Sequence, residues 1–121
     1  LVMTIDPWRL YQLHPDHRAA GQAALDAVYA AREHFIFPEQ LVGEIEPWRV
    51  DEVFLFWTDN ADYWEDVTAS MDRRIAALKR HQSQLGERVD QVEERIRKMA
   101  KTVGEKPGFD YAEGFKRITL H

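Results

Sequence analysis

Apolar positions fall along this chain in two alternating arrangements, short continuous runs and stripes at helical spacing. Leu1 to Ile5 (LVMTI) is a run of apolar and β-branched residues with the character of a buried strand. Asp6 and Pro7 break it, and a chain that opens in mid-strand is expected to have lost what came before. Trp8 to Leu13 has no clean period and reads as a loop. His14-Pro15-Asp16 then has the form of a helix start, with Pro15 at the first helical position, where its missing N–H costs nothing. The predicted helix runs through Arg18 to about Glu33, with Ala20, Ala24, Leu25, Val28 and Ala31 as a small-residue face for close packing on a sheet.

Phe35 to Pro47 (FIFPEQLVGEIEP) carries two prolines and a glycine, the pattern of an irregular connection with room for one short helical turn. Val53 to Trp57 (VFLFW) is the strongest strand signal, and its unbroken apolar character predicts burial on both faces, as in a parallel sheet covered by helices. Asp62 to Val67 (DYWEDV) has the form of a short edge strand before Thr68 or Ser70 caps the next helix. In that helix Met71, Ile75 and Leu78 mark the buried stripe, while Arg73, Lys79 and Arg80 face water. After Gly86, the positions Val89, Val92, Ile96 and Met99 form a narrow seam expected to pack on its own domain or on a sister chain. Gly104 to Gly108 (GEKPG) ends that helix, and Tyr111 to Leu120 adds a final short helix or strand.

Composition narrows the picture. With 121 residues, 45% of them apolar, the chain supplies one modest core and reads as a single domain. A net charge of −5 with interleaved signs argues against a nucleic-acid footprint. There is no cysteine, so any metal must be held by His and carboxylate, and the composition fits a reducing cytosol. No apolar run approaches a membrane span, and the N-terminus has no basic region followed by an apolar one, so a soluble, cytoplasmic protein is expected.

The candidate chemistry sits in His14-Pro15-Asp16-His17. Pro15 pushes His14 out of the α region, so its ring hangs off the strand-to-helix loop while His17 occupies the first helical turn. Both rings then reach one point above the C-terminal edge of the preceding strand, where open α/β folds bind ligands. Asp16 has the reach to orient a neighbouring imidazole. The plainer reading is that His14 caps the helix, Asp16 complements its dipole, and His17 is a surface residue. Weaker candidates are His81, late on an amphipathic helix, the acidic-aromatic loop with Asp59, Asp62, Glu65 and Asp66, and the charged face with Glu93 and Glu94. No nucleophile motif or glycine-rich phosphate loop is present.

Several of these features recur in one order: Thr4-x-Asp6, then HPDHRAAG from His14 to Gly21, an alanine-rich helix, an apolar strand with an acidic-aromatic loop from Val53 to Trp64, and I-x-x-L-x-x-H-x-S-Q from Ile75 to Gln84. This order resembles the C-terminal half of the PIG-L/LmbE-like N-acetylglucosaminyl deacetylases. The resemblance implies an α/β fold, the C-terminal portion of a Rossmann-like three-layer architecture with a mostly parallel sheet. On that basis residues 1–121 are a single partial domain in which 86–121 is a helical C-terminal extension. It further implies zinc-dependent hydrolysis of an N-acyl group on an amino-sugar conjugate, with His17 as a zinc ligand. His14 would stabilise the oxyanion or protonate the leaving amine, and Asp16 would hold that histidine.

The departure from the family lies in a missing upstream motif of HPDD type, which in family members supplies the other zinc ligands and the general base; none exists in this chain. One protein histidine does not hold zinc tightly, since catalytic sites use three protein ligands plus water. The isolated chain is therefore expected to be inactive. The partners implied are a small amino-sugar conjugate and either a homo-oligomer or a separate N-terminal half. Two other readings stay open: an amide hydrolase like the mycothiol-conjugate amidase, with Phe35 to Pro47 as a pocket wall, and a non-catalytic α/β interaction module.

Overall fold

Val2–Ile5 forms the first strand, β1, where the apolar run places it. The computed structural model describes residues 1–121. Asp6 continues the pairing by one residue, its N–H donating to the carbonyl of Phe56 at 3.0 Å. Helix α1, Pro15–Ala30, begins with Pro at its first position and His14 at the cap, and His14 has the extended backbone that a following proline demands. The helix ends before the expected Glu33. Its last turn is closed by the Ala31 N–H on the Ala27 carbonyl, and the Trp48 N–H takes the Ala31 carbonyl at 2.7 Å. The incoming loop thus satisfies an acceptor that a further helical turn would have used.

The close contact between α1 and β1 runs through Gly21, which is buried, whereas Ala20 and Ala31 are exposed. A Cβ at Gly21 would stand 2.5 Å from the Ile5 carbonyl oxygen and 3.1 Å from the Pro7 ring. The expected alanine face is therefore centred differently: Ala24, Leu25 and Val28 are half-buried around a glycine contact.

After a connection with one short 3-10 turn at Pro38–Gln40, Glu52–Phe56 forms β2 and pairs in parallel with β1, Val2 opposite Val53 and Ile5 opposite Phe56. Val53 and Leu55 are each 1% exposed, but Phe54 and Phe56 are only half-buried, so β2 is fully covered on one face alone. The other face is closed by side chains of the sheet itself. Phe54 packs on Tyr63 at 4.9 Å and Phe115 at 5.6 Å, with the Arg117 guanidinium 5.9 Å from its ring.

Two further strands complete the sheet: β3, Tyr63–Asp66, close to the edge strand expected at Asp62 to Val67, and β4, Ala112–Thr119. The order is β1-β2-β4-β3, and β4 runs antiparallel to β2. The sheet is therefore mixed, which corrects the expected mostly parallel arrangement; the unbroken apolar run in β2 reflects a central position between unlike neighbours.

The chain divides into two compact units, residues 1–63 with 115–121, and residues 64–114. In the second, a 3-10 turn at Thr68–Ser70 leads into α2, Met71–Leu78, followed by a four-residue α3, Gln82–Leu85, and by α4, Val89–Glu105. Neither Thr68 nor Ser70 caps α2 with its side chain. The Ser70 hydroxyl donates back to the Val67 carbonyl at 3.2 Å, and the Thr68 hydroxyl accepts the Tyr111 N–H at 3.1 Å. Met71, Ile75 and Ala100 form the core of this unit, with Val67, Ile96 and Tyr111 packed on it. The seam holds at Val89, Val92 and Ile96, which are half-buried, and departs only at its end, where Met99 is 56% exposed and the neighbouring Ala100 is buried. Residues 86–121 comprise α4 and then the strand β4, so the final Tyr111 to Leu120 segment resolves as a strand.

Candidate functional site

Because β1 and β2 are parallel neighbours, their C-terminal ends lie at one edge of the sheet, and the loops that follow them share that edge. The loop after β1 delivers His14 and His17, and the turn after β2 delivers Trp57 and Asp59. Asp6, buried at the end of β1, shapes the first loop by accepting the Trp8 N–H at 2.9 Å. The Arg18 guanidinium pins its far end by donating to the Gln12 carbonyl at 2.6 Å.

The His14 and His17 rings are stacked, with centroids 4.5 Å apart and planes 18° from parallel. His14 Nδ1 accepts the backbone N–H of Asp16 at 3.3 Å. That bond places the ring proton on Nε2 in the neutral tautomer and so presents an N–H donor on the far side of the ring. The link between Asp16 and His14 is therefore made by the main chain, and the exposed Asp16 carboxylate has no hydrogen bond to either ring.

His17 is held on its other side by Trp57, centroids 5.5 Å apart at 61°. Its Nδ1 is buried and has no hydrogen-bond partner. Leaving such a nitrogen unpaired costs about 1–3 kcal/mol, so this ring is built for a partner that these contacts do not supply.

Two residues beside the histidines have left-handed backbone without being glycine, Tyr11 with φ 59° and Trp57 with φ 53°. Each costs about 1–2 kcal/mol, and such strain collects at functional sites. Tyr11 is 91% exposed and, with Arg9, Leu10, Gln12 and Asp59, lines an open groove of about 550 Å³. An ion pair between Arg9 Nε and Asp59 Oδ1 at 3.3 Å joins the two loops across it.

Zinc, which the family resemblance implies, is tested by this donor set. His17 fits as one ligand, since it is packed on two sides and keeps an unsatisfied nitrogen. The set is nevertheless incomplete, because no group of three or more His, Cys, Asp or Glu able to hold a metal exists in the chain.

The weaker candidates have structural employment. Asp59 pairs with Arg9, Asp62 takes the Lys116 ammonium and the Arg117 N–H, and Asp66 accepts the Thr68 N–H at 2.9 Å. The Lys116 bond, then the Arg117 N–H, hold the Asp62 carboxyl below the usual carboxylate range. Glu93 bonds Lys79 and Arg97, which lower its carboxyl in that order, and Glu94 is exposed on α4. His81 lies in the second unit, exposed in the break between α2 and α3 rather than late on one amphipathic helix. Trp57 and Arg9 are the site residues that sequence reasoning missed. The available signal was the polar Thr58-Asp59-Asn60 immediately after Trp57, a turn closed by the Asn60 N–H on the Thr58 hydroxyl at 3.1 Å.

No family model matches the chain. It is 32% identical over 119 residues to the diacetylchitobiose deacetylase of Thermococcus kodakarensis, a match covering 98% of this chain and 45% of the relative. Among solved structures it is similar to the N,N'-diacetylchitobiose deacetylase of Pyrococcus horikoshii in complex with its inhibitor MPG. The TM-score is 0.89 at 30% identity, over 98% of this chain and 45% of that one. It is also similar to a conserved protein of Thermus thermophilus, with TM-score 0.76 and 29% identity over 94% of this chain and 49% of the other. The chain is thus similar to diacetylchitobiose deacetylases in sequence and in its α/β architecture, and it spans less than half the length of each of these relatives.

Proposed function

We propose that this chain is the HPDH-bearing part of a zinc-dependent N-deacetylase of PIG-L/LmbE type, acting on N-acetylglucosamine-type conjugates. The observation that carries the reading is the buried, unpartnered Nδ1 of His17, stacked on His14 at the C-terminal edge of β1 and β2. The similarity to diacetylchitobiose deacetylases supports the substrate class. Absence of cysteine is in keeping with work in a reducing cytosol.

Zinc held there would supply Lewis-acid polarisation of the acyl carbonyl and activation of water for the attack. His17 would contribute one ligand. His14, its Nδ1 occupied by the Asp16 N–H, directs its Nε2–H toward the reacting amide, where it donates to the developing oxyanion or to the leaving nitrogen. Asp16 fixes that orientation through its backbone, and its carboxylate complements the N-terminus of α1. The remaining ligands and the general base come from polypeptide outside these 121 residues.

A second reading, a non-catalytic α/β module derived from this fold, is favoured by the incomplete ligand set. One experiment separates the two. Zinc and N,N'-diacetylchitobiose are supplied to the chain alone and to the chain co-expressed with a polypeptide carrying an HPDD-type motif, and released amine is measured. The expected result is no amine from the chain alone and turnover from the pair, lowered more than about 100-fold by His17→Ala. Turnover by the isolated chain, or a pair indifferent to His17→Ala, would overturn the assignment.

A further inference from the structure

We propose that Trp57 is a stacking platform for the pyranose ring of the substrate, and so a specificity-determining residue. The inference rests on the reading of His14 and His17 as part of an amide-hydrolysing site.

Trp57 directly follows the last residue of β2, at the sheet edge where the two histidines are delivered. Its backbone is left-handed, a conformation that glycine or asparagine adopts with less strain. A large ring kept in such a conformation is not accounted for by burial, because 49% of the residue remains exposed. The indole is nonetheless well fixed, by His17 at 5.5 Å and by the Phe56 ring at 5.9 Å and 87°. A rigid, half-open indole in contact with a candidate catalytic imidazole has the properties of a binding surface.

The chemistry selects the ligand. One face of a glucosamine-type pyranose carries only axial C–H bonds and is apolar, and it packs on the electron-rich face of an indole. A sugar seated on Trp57 brings its acetamido group toward the imidazoles, because His17 touches the same ring. Two residues further on, Asp59 with Arg9 offers polar partners for ring hydroxyls at the mouth of the open groove. Trp48, 73% exposed but with no aromatic or histidine contact, lacks this setting and serves as the control.

The test uses the full 121-residue chain without metal and the methyl β-glycoside of N-acetylglucosamine as probe, with binding followed by ligand-observed NMR. Trp57→Ala is expected to weaken binding about three- to tenfold, Trp57→Phe to restore it to within about twofold, and Trp48→Ala to leave it unchanged. Trp57→Gly, which suits the left-handed backbone, removes the ring without the strain and guards against a misfolded alanine variant. No binding by the wild-type chain, or equal binding by wild type and a folded Trp57→Gly, overturns the proposal. If the glycoside binds through Trp57 and the complemented protein releases no amine, the platform stands and the deacetylase reading falls. If amine is released equally from the sugar and from a non-sugar N-acetyl amine, indifferent to Trp57→Ala, the platform falls and the hydrolase reading stands.

Discussion

Gly21 shows how one missing atom sets the position of a helix. In a helix interior alanine is favoured over glycine by about 1 kcal/mol. Here the added Cβ would lie 2.5 Å from the Ile5 carbonyl oxygen, a backbone atom of β1 that has no rotamer to escape into. Overlap of that kind costs about 1–3 kcal/mol. Gly21→Ala is therefore expected to lower the melting temperature by several degrees, about 4–8 °C for each kcal/mol lost, when followed by circular dichroism. An unchanged or raised melting temperature would mean that α1 moves away freely. His14 raises a different question, since its ring both caps α1 and bears the Nε2–H assigned to the reaction. Asparagine keeps an acceptor for the Asp16 N–H and removes the imidazole. His14→Asn should thus leave the urea midpoint nearly unchanged, against a loss of about 1 kcal/mol for His14→Ala, while turnover of the complemented enzyme disappears in both. Retained turnover in the asparagine variant would reduce His14 to a cap.

At the scale of elements, β4 is held by a charged clasp that titrates. Asp62 accepts the Lys116 ammonium and the Arg117 N–H at 2.8 Å, while the Arg117 guanidinium reaches Glu52 on β2. The Lys116 bond foremost, then the Arg117 N–H, lower the Asp62 carboxyl in the folded chain. A carboxyl lowered on folding contributes stability in full above its unfolded pKa, about 4, and loses it as pH falls through the lowered folded value. Asp66 and Glu93 are lowered as well, so wild type and Asp62→Asn should both weaken in acid. The gap between their urea midpoints should be widest near neutrality and shrink below about pH 4, and parallel curves would show that the clasp contributes nothing. The elements also show what a sequence pattern carries. The start of α1 is legible because Pro15 and His14 act on their immediate neighbours. Spacing places the stripe of α4 as far as Ile96 and errs at its end, because it draws the eye to large side chains such as Met99. What is buried on α4 is small, Ala100 and Gly104, and the N–H groups of Gly108 and Phe109 close on the Gly104 carbonyl. The antiparallel entry of β4 between β2 and β3 depends on partners some sixty residues apart, and no local period encodes it.

Across the whole molecule, the site is legible as far as it is local: HPDH marks the loop, but the contact of His17 with Trp57 joins two residues forty positions apart in the chain. The same topology leaves the two sheet edges unequal. β3, at one edge, carries the exposed acidic pair Glu65 and Asp66, side chains that discourage strand addition. β1, at the other, has neither proline nor charge in Val2–Ile5, and Met3 beside Leu1 is 54% exposed. Its outer side presents unpaired N–H and C=O groups flanked by apolar side chains, the arrangement that recruits a further strand. The 121-residue chain is accordingly expected to self-associate in a concentration-dependent way by sedimentation equilibrium. Met3→Lys should shift it toward monomer without altering the melting temperature, since the side chain is exposed and the pairing of β1 with β2 is untouched. If the chain is monomeric throughout, or Met3→Lys associates as wild type does, the edge is closed by something other than strand pairing. If the lysine variant alone is monomeric, the strand that leads into the histidine loop on one side is also the strand that accepts a further neighbour on the other.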